Sequence, residues 1–192
     1  MRSKSADVFE KASAFALRAH RGMQRKGGSP YILHPMEVAA IASTMSSDRE
    51  VLAAAILHDV VEDTAVTIEE VEERFGARVA ALVSAETEDK MLGIAPEASW
   101  QMRKEASLRV LTEIEDVSVK ILWLSDKLSN MRSFKRLRAE QGNGFWSAFH
   151  QKDPSMQKWY YQRIAELTSE LSSWAAWKEY TALCSEVFKG VD

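Results

Sequence analysis

The chain has 192 residues, with 25 Lys and Arg against 28 Asp and Glu, a formal charge of −3; 46% of residues are hydrophobic and 28% charged. That composition excludes a disordered or fibrous chain and suffices for one compact domain with a substantial core. No apolar run approaches the roughly 18 residues of a membrane-spanning helix, residues 1–11 lack the apolar stretch of a secretory leader, and the single Cys184 excludes an intrachain disulfide, so a reducing cytoplasm is expected.

The apolar periodicity is helical almost throughout. A first helix is predicted from near Ser5, with Val8, Ala12, Phe15, Ala16 and Ala19 on one face. Residues 21–33 read as a loop, punctuated by Gly22, Gly27, Gly28 and Pro30. His34-Pro35 opens a second helix, with His34 expected at the N-cap and Met36, Ala39, Ala40 and Ile41 beginning the buried face. Asp48 reads as the N-cap of a third helix carrying Val51, Leu52, Ala55 and Ile56 and running into His58-Asp59. Thr67 with Glu70 predicts a capping box for a short helix that Gly76 ends. Helices are then expected over 77–87, 100–114 and 117–131, with a loop at 88–99 and a break at Gly142-Asn143-Gly144. Pro154 precedes a long helical region with Trp159, Tyr160, Ile164, Leu167 and Leu171, and a helix over 174–188 closes the chain. No strand-like alternation, repeat or linker interrupts the series. The expectation is an all-α single domain over residues 1–192.

Two basic clusters stand out on this acidic chain. Arg18, Arg21, Arg25 and Lys26 form one; Lys127, Arg132, Lys135, Arg136 and Arg138 form the other; neither contains an acid. Charge alone favours solvated faces over a confined anionic ligand, and the acidic total argues against a general nucleic-acid binder.

The most informative pair is His58-Asp59, two polar residues ending a helix that otherwise buries Ala53, Ala54, Ala55, Ile56 and Leu57. A lone His-Asp is more often a satisfied core histidine beside a cap. Here His34 stands at another helix mouth, and Asp126 ends the apolar stretch Leu122-Trp123-Leu124-Ser125. Two His and two Asp can complete most of a coordination shell, and that donor mix suits Mn²⁺, Fe²⁺ or Zn²⁺ better than an all-oxygen Ca²⁺ cage or a thiolate zinc site. The residues come from three segments, so only a fold could bring them together. Glu62 and Asp63 follow Asp59 by one helical turn and read either as an exposed acidic turn or as carboxylates that orient and deprotonate a water.

Three stretches carry a resemblance. The first is Ala19-His20-Arg21-Gly22-Met23-Gln24-Arg25-Lys26 with Ser29-Pro30-Tyr31-Ile32-Leu33-His34-Pro35. The second is Ala54-Ala55-Ile56-Leu57-His58-Asp59-Val60-Val61-Glu62-Asp63-Thr64. The third runs from Lys120-Ile121 to Leu124-Ser125-Asp126-Lys127-Leu128-Ser129-Asn130-Met131-Arg132. In this order, over about residues 5–135, they resemble the motifs of the HD-domain hydrolases of the RelA/SpoT homologue family.

The resemblance implies a helical HD-domain bundle and a cytoplasmic Mn²⁺-dependent hydrolase that removes the 3′-diphosphate of guanosine tetra- and pentaphosphate, releasing pyrophosphate. It implies that His34, His58, Asp59 and Asp126 hold the metal, and that Glu62 and Asp63 activate the attacking water. It also implies that Arg25 and Lys26 lie along base and phosphates, that Asn130 lies near the ribose, and that Tyr160, beside Tyr161, contacts the nucleotide. The basic clusters then acquire a role, since four or five phosphates call for concentrated positive charge, with Arg136 and Arg138 read as plain solvated surface. The chain ends at Asp192, where bifunctional members continue into a synthetase domain, so it resembles the small hydrolase-only members. Ser129, where long members often carry histidine, and the loop Gly27-Gly28-Ser29, which lacks an acid common there, depart from the pattern and leave the nucleobase open. The alternatives are the same fold acting on adenosine alarmones or as an NADPH 2′-phosphatase. Another HD-type phosphohydrolase would leave Arg25-Lys26 and Asn130-Met131-Arg132 unexplained, and a degenerate sensor is expected to have lost a ligand or the Glu-Asp pair. The expected partner is a small nucleotide, with no nucleic acid and no membrane; a homo-oligomer, and an antitoxin role beside a separate synthetase, are left open.

Overall fold

The structure, a computed structural model, describes residues 7–91 and 93–191. Among them the ordered elements are helices, and the β geometry is confined to an isolated bridge between Gln24 and Pro30, as an all-α reading requires. None of these helices is long and apolar enough to cross a membrane. The chain divides into two compact units, residues 1–87 and 88–192.

In the first unit, α1 spans Val8–Ala19 and is opened by Asp7, whose carboxylate accepts from the Glu10 N–H while Glu10 reaches back to the Asp7 N–H. The expected start near Ser5 lies outside the described residues. α2 spans Leu33–Ala42, with Ile32 and not His34 at its N-cap. Pro35 therefore sits in the third helical position rather than the first. This costs nothing, because the first four N–H groups of a helix have no intrahelical acceptor. The buried face also differs from the expected one: Pro35, Val38, Ala39, Ile41 and Ala42 are buried, whereas Met36 and Ala40 face solvent.

α3 spans Arg49–Leu57, capped by the Asp48 carboxylate, which accepts from the Glu50 N–H at 2.9 Å. Its residues 51–57 are all buried. It packs against α1, α2 and α6 (Ala77–Glu86), and Ala53, Ala54 and Ala55 leave room for neighbours on every side. α3 stops at Leu57, and His58 and Asp59 form the corner into a single turn, α4, Val60–Asp63. α5 spans Ile68–Phe75. Thr67 caps it, but the Glu70 carboxylate turns forward to Arg74 (2.9 Å) instead of completing the expected box. Gly76, at φ +95°, ends α5 and starts α6 without a linker, a backbone conformation side chains disfavour.

In the second unit, α7 spans Pro96–Glu113, one turn earlier than predicted, because Pro96 takes the first helical position. α8, Val117–Gln141, continues ten residues beyond the predicted end until Gly142 at φ +60° stops it. A 3₁₀ turn follows over Gly142–Ala148. α9 spans Pro154–Leu167, with Asp153 as its cap, and α10 spans Ala175–Val187. The long α8 packs against α9, α10 and the 3₁₀ turn. Phe134, Phe145, Trp146, Phe149, Tyr161 and Phe188 form the aromatic core, with the Trp146 and Phe188 rings stacked 5.6 Å apart.

Glu88, at the start of this unit, is nearly enclosed and pairs with Arg103 and Lys104 (2.6 Å). Burial alone would raise its pKa, but the cations of Lys104 and Arg103 outweigh it and hold the carboxyl below its usual 4.5. Glu88 therefore stabilises the fold above the unfolded-state value, and that contribution fades as pH falls below about 4.5 through its folded pKa. Thermal melts from pH 7 to pH 3 are expected to show Glu88→Gln less stable by on the order of 2 kcal/mol at neutral pH, with the difference shrinking in acid.

Candidate metal and phosphate site

The first unit gathers a compact polar cluster from four adjoining elements. His34 enters from the first turn of α2, His58 and Asp59 from the corner after α3, Asp63 from α4, and Tyr31 from the loop before α2. The rings of His34 and His58 lie 5.1 Å apart at 72°. Asp59 Oδ2 stands 3.1 Å from His58 Nε2 and 3.6 Å from His34 Nε2, and both imidazoles are buried.

The tautomer of His58 follows from its other nitrogen. Nδ1 lies 2.9 Å from the Ala55 carbonyl oxygen, which can only accept, so Nδ1 carries a proton. In the neutral ring Nε2 is then a lone pair aimed at a carboxylate oxygen. Two acceptors at 3.1 Å repel each other unless a proton or a metal cation lies between them. A ligating histidine whose far N–H is fixed on a backbone carbonyl has this arrangement. The donor set, two imidazole nitrogens and a carboxylate, fits a divalent transition metal.

The sequence motifs contain Tyr31 but assign it no role. Its hydroxyl lies 2.6 Å from Asp59 Oδ2 and 2.6 Å from Asp63 Oδ2. Burial first, and then the charges of Asp59 and Asp63, push its pKa far above the ordinary phenol value, so it remains a donor. Beneath it lies His20, also unassigned, with ring centroids 4.9 Å apart. His20 is buried, and among the described residues both its ring nitrogens lack a hydrogen-bond partner. Burial lowers its pKa, partly opposed by Asp59 and Asp63. Only a hydroxyl placed between Pro30 and the histidine-bearing helix could have hinted at Tyr31; nothing in the sequence singled out His20. Glu62 lies half-buried on the same turn as Asp63.

The loop that delivers Tyr31 is closed by the Gln24–Pro30 bridge and by the Tyr31 N–H donating to the Met23 carbonyl (2.9 Å). Gly28, at φ +81°, makes the turn, and its N–H reaches the Arg25 carbonyl (2.8 Å). The loop presents Arg25 and the exposed Lys26, with the Arg25 guanidinium 5.7 Å from the Tyr31 ring centre.

The remaining predicted residues belong to the second unit. Asp126 is buried on α8, contacts Lys127, and accepts from Asn130 Nδ2 at 2.8 Å. Asn130 therefore orients the Asp126 carboxylate, whatever else it touches. Tyr160 is buried, edge-on to Trp100 at 6.0 Å, with Lys104 5.0 Å from its ring centre; Tyr161 belongs to the aromatic core. The second basic cluster is largely committed to the fold, which corrects the role expected for it. Arg132 pairs with Glu179 (2.7 Å), Lys135 with Glu186 (2.8 Å), and Arg138 donates to the carbonyls of Glu186, Val187 and Lys189 at the end of α10. Cations fit there because the last carbonyls of a helix have no intrahelical donors.

The HD domain family matches residues 12–147 of this chain. A guanosine-3′,5′-bis(diphosphate) 3′-pyrophosphohydrolase of Aquifex aeolicus is 39% identical over 136 residues, 71% of this chain and 19% of that protein. The chain spans about a fifth of the length of the curated relatives it matches. A structure described as a metazoan orthologue of SpoT that hydrolyses ppGpp superposes with a TM-score of 0.75 at 26% identity, covering 99% of both chains. A crystal structure from Listeria monocytogenes superposes with a TM-score of 0.70 at 34% identity, covering 84% of this chain and 99% of that one. The resemblance carried by the three motifs is thereby borne out, and the chain belongs to the HD-domain family.

Proposed function

We propose that this protein is a metal-dependent phosphohydrolase that removes the 3′-diphosphate of guanosine tetra- and pentaphosphate, the alarmones of the stringent response. The observation that carries the reading is the pair of acceptors, His58 Nε2 and Asp59 Oδ2, held 3.1 Å apart beside His34. The substrate class is supported by the motif order and by the relatives, one named for this reaction and one described as hydrolysing ppGpp. His34, His58 and Asp59, with Asp126 from the third motif, hold one divalent cation, Mn²⁺ being the reading that the family resemblance favours. The reading of one domain is supported by the family match, which covers residues 12–147. A cytoplasmic location accords with the lone, buried Cys184.

When bound, the cation supplies positive charge at the phosphoryl group and makes water more acidic. Glu62 and Asp63 orient a water toward phosphorus and take its proton. The bond between phosphorus and the ribose 3′-oxygen breaks, that oxygen takes a proton, and pyrophosphate leaves with GDP or GTP. Arg25 and Lys26 meet substrate negative charge from their loop, and the Arg25 plane can stack on a base. Asn130 steadies Asp126. Tyr160 contacts the nucleotide in this reading.

The test is to mix the protein with Mn²⁺ and guanosine tetraphosphate and to measure released pyrophosphate, with and without a chelator. Release that the chelator stops is expected. Turnover of an adenosine alarmone or NADPH in its place would overturn the substrate and leave the fold's chemistry standing.

A further inference from the structure

We propose that Tyr31 is a positioning residue whose hydroxyl clasps the ligand carboxylate of Asp59 to the water-orienting carboxylate of Asp63. This inference rests on the hydrolase reading for its catalytic consequence, but not for the clasp itself. Both oxygen–oxygen distances are 2.6 Å, the range of hydroxyl-to-carboxylate bonds. A phenol has one proton, so the two carboxylates share it. Asp59 and Asp63 lie one helical turn apart, joined through the backbone by the Asp63 N–H on the Asp59 carbonyl (2.9 Å), and as like charges they would otherwise repel. The hydroxyl comes from a different segment and draws both onto one point.

The position of that hydroxyl is itself fixed. The Tyr31 ring lies on His20 and meets His34 edge-on at 6.1 Å. Its backbone N–H is held by Met23, and its carbonyl accepts from the His34 N–H at 2.9 Å. The loop carrying Arg25 and Lys26 is thus locked to both carboxylates by one side chain. Groups of this kind orient metal ligands, and their loss typically costs about 10- to 100-fold in metal affinity or activity.

Tyr31→Phe deletes only the hydroxyl and keeps the ring on His20. In calorimetry with Mn²⁺ alone, the variant is expected to bind about 10- to 100-fold more weakly than the native chain. With guanosine tetraphosphate at saturating Mn²⁺, kcat should fall on the same scale while KM stays within about twofold, and in an Asp63→Ala background at saturating Mn²⁺ the further loss of kcat should largely vanish, because the contact that remains, to Asp59, acts on metal affinity. Where Tyr31→Phe fails to fold, 3-fluorotyrosine placed at position 31 alone keeps the contact, and its fluorine resonance should move in Asp63→Ala without metal or substrate. A folded Tyr31→Phe with native Mn²⁺ affinity and native kcat overturns the clasp while the hydrolase stands, as does a fluorine line that Asp63→Ala leaves in place. A native chain that binds Mn²⁺ but releases no pyrophosphate overturns the hydrolase, and the calorimetry and fluorine shift still decide the clasp. A native chain that does not bind Mn²⁺ overturns the hydrolase reading and the ligand role of Asp59, and the fluorine shift alone then decides the clasp.

Discussion

Asp59→Ala is expected to abolish Mn²⁺ binding and pyrophosphate release together. One oxygen of this residue is the hub of the cluster: Asp59 Oδ2 stands 3.1 Å from His58 Nε2, 3.6 Å from His34 Nε2 and 2.6 Å from the Tyr31 hydroxyl. Removing it takes one negative ligand away from the two buried imidazoles. If a bound cation contributes several kcal/mol to stabilising charge at phosphorus, its loss lowers turnover by upward of about a thousandfold. Calorimetry with Mn²⁺ and a pyrophosphate assay check both halves. Asp59→Asn is the stringent control, since it keeps the volume and can still accept from Tyr31 but carries no charge. An Asp59→Ala protein that loses turnover yet binds Mn²⁺ with native affinity would remove Asp59 from the ligand set.

How far the sequence could be read depends on the range of the physics involved. The helices were legible because apolar periodicity and capping chemistry are local. Asp48 announces α3, and Gly76 ends α5, within a few residues of sequence. Boundaries failed where a tertiary contact decides them. α8 runs on to Gln141 because its last turns find partners on α10, as Arg132 does with Glu179 and Arg138 with the final carbonyls. The same contacts explain why a cluster of positive charge, read from composition, mostly serves the fold. His34 and His58-Asp59 were legible as polar groups set into apolar helices, an arrangement that must be justified by partners. Tyr31 and His20 were not, because an aromatic residue in a loop carries no periodic signal, and their significance lies in contacts 28 and 32 residues away along the chain for Tyr31.

Glu62→Ala combined with Asp63→Ala should separate binding from chemistry. Neither residue is in the proposed ligand set, so Mn²⁺ affinity and KM are expected to stay near native values. What the proposed mechanism loses is the pair that takes the proton of water and holds it in line with phosphorus, an effect typically worth about 10²- to 10⁴-fold in rate. The two carboxylates are placed differently. Asp63 is tied through the Tyr31 hydroxyl to the oxygen of Asp59, whereas Glu62 lies half-buried on the same turn. Asp63→Ala alone frees the Tyr31 proton for Asp59, so it should cost rate without weakening the metal. Glu62→Ala alone leaves the clasp intact and tests whether the second carboxylate takes part. If the two single losses multiply to less than the double, each acid partly covers for the other; if the double variant turns over at the native rate, water activation lies elsewhere in the cluster.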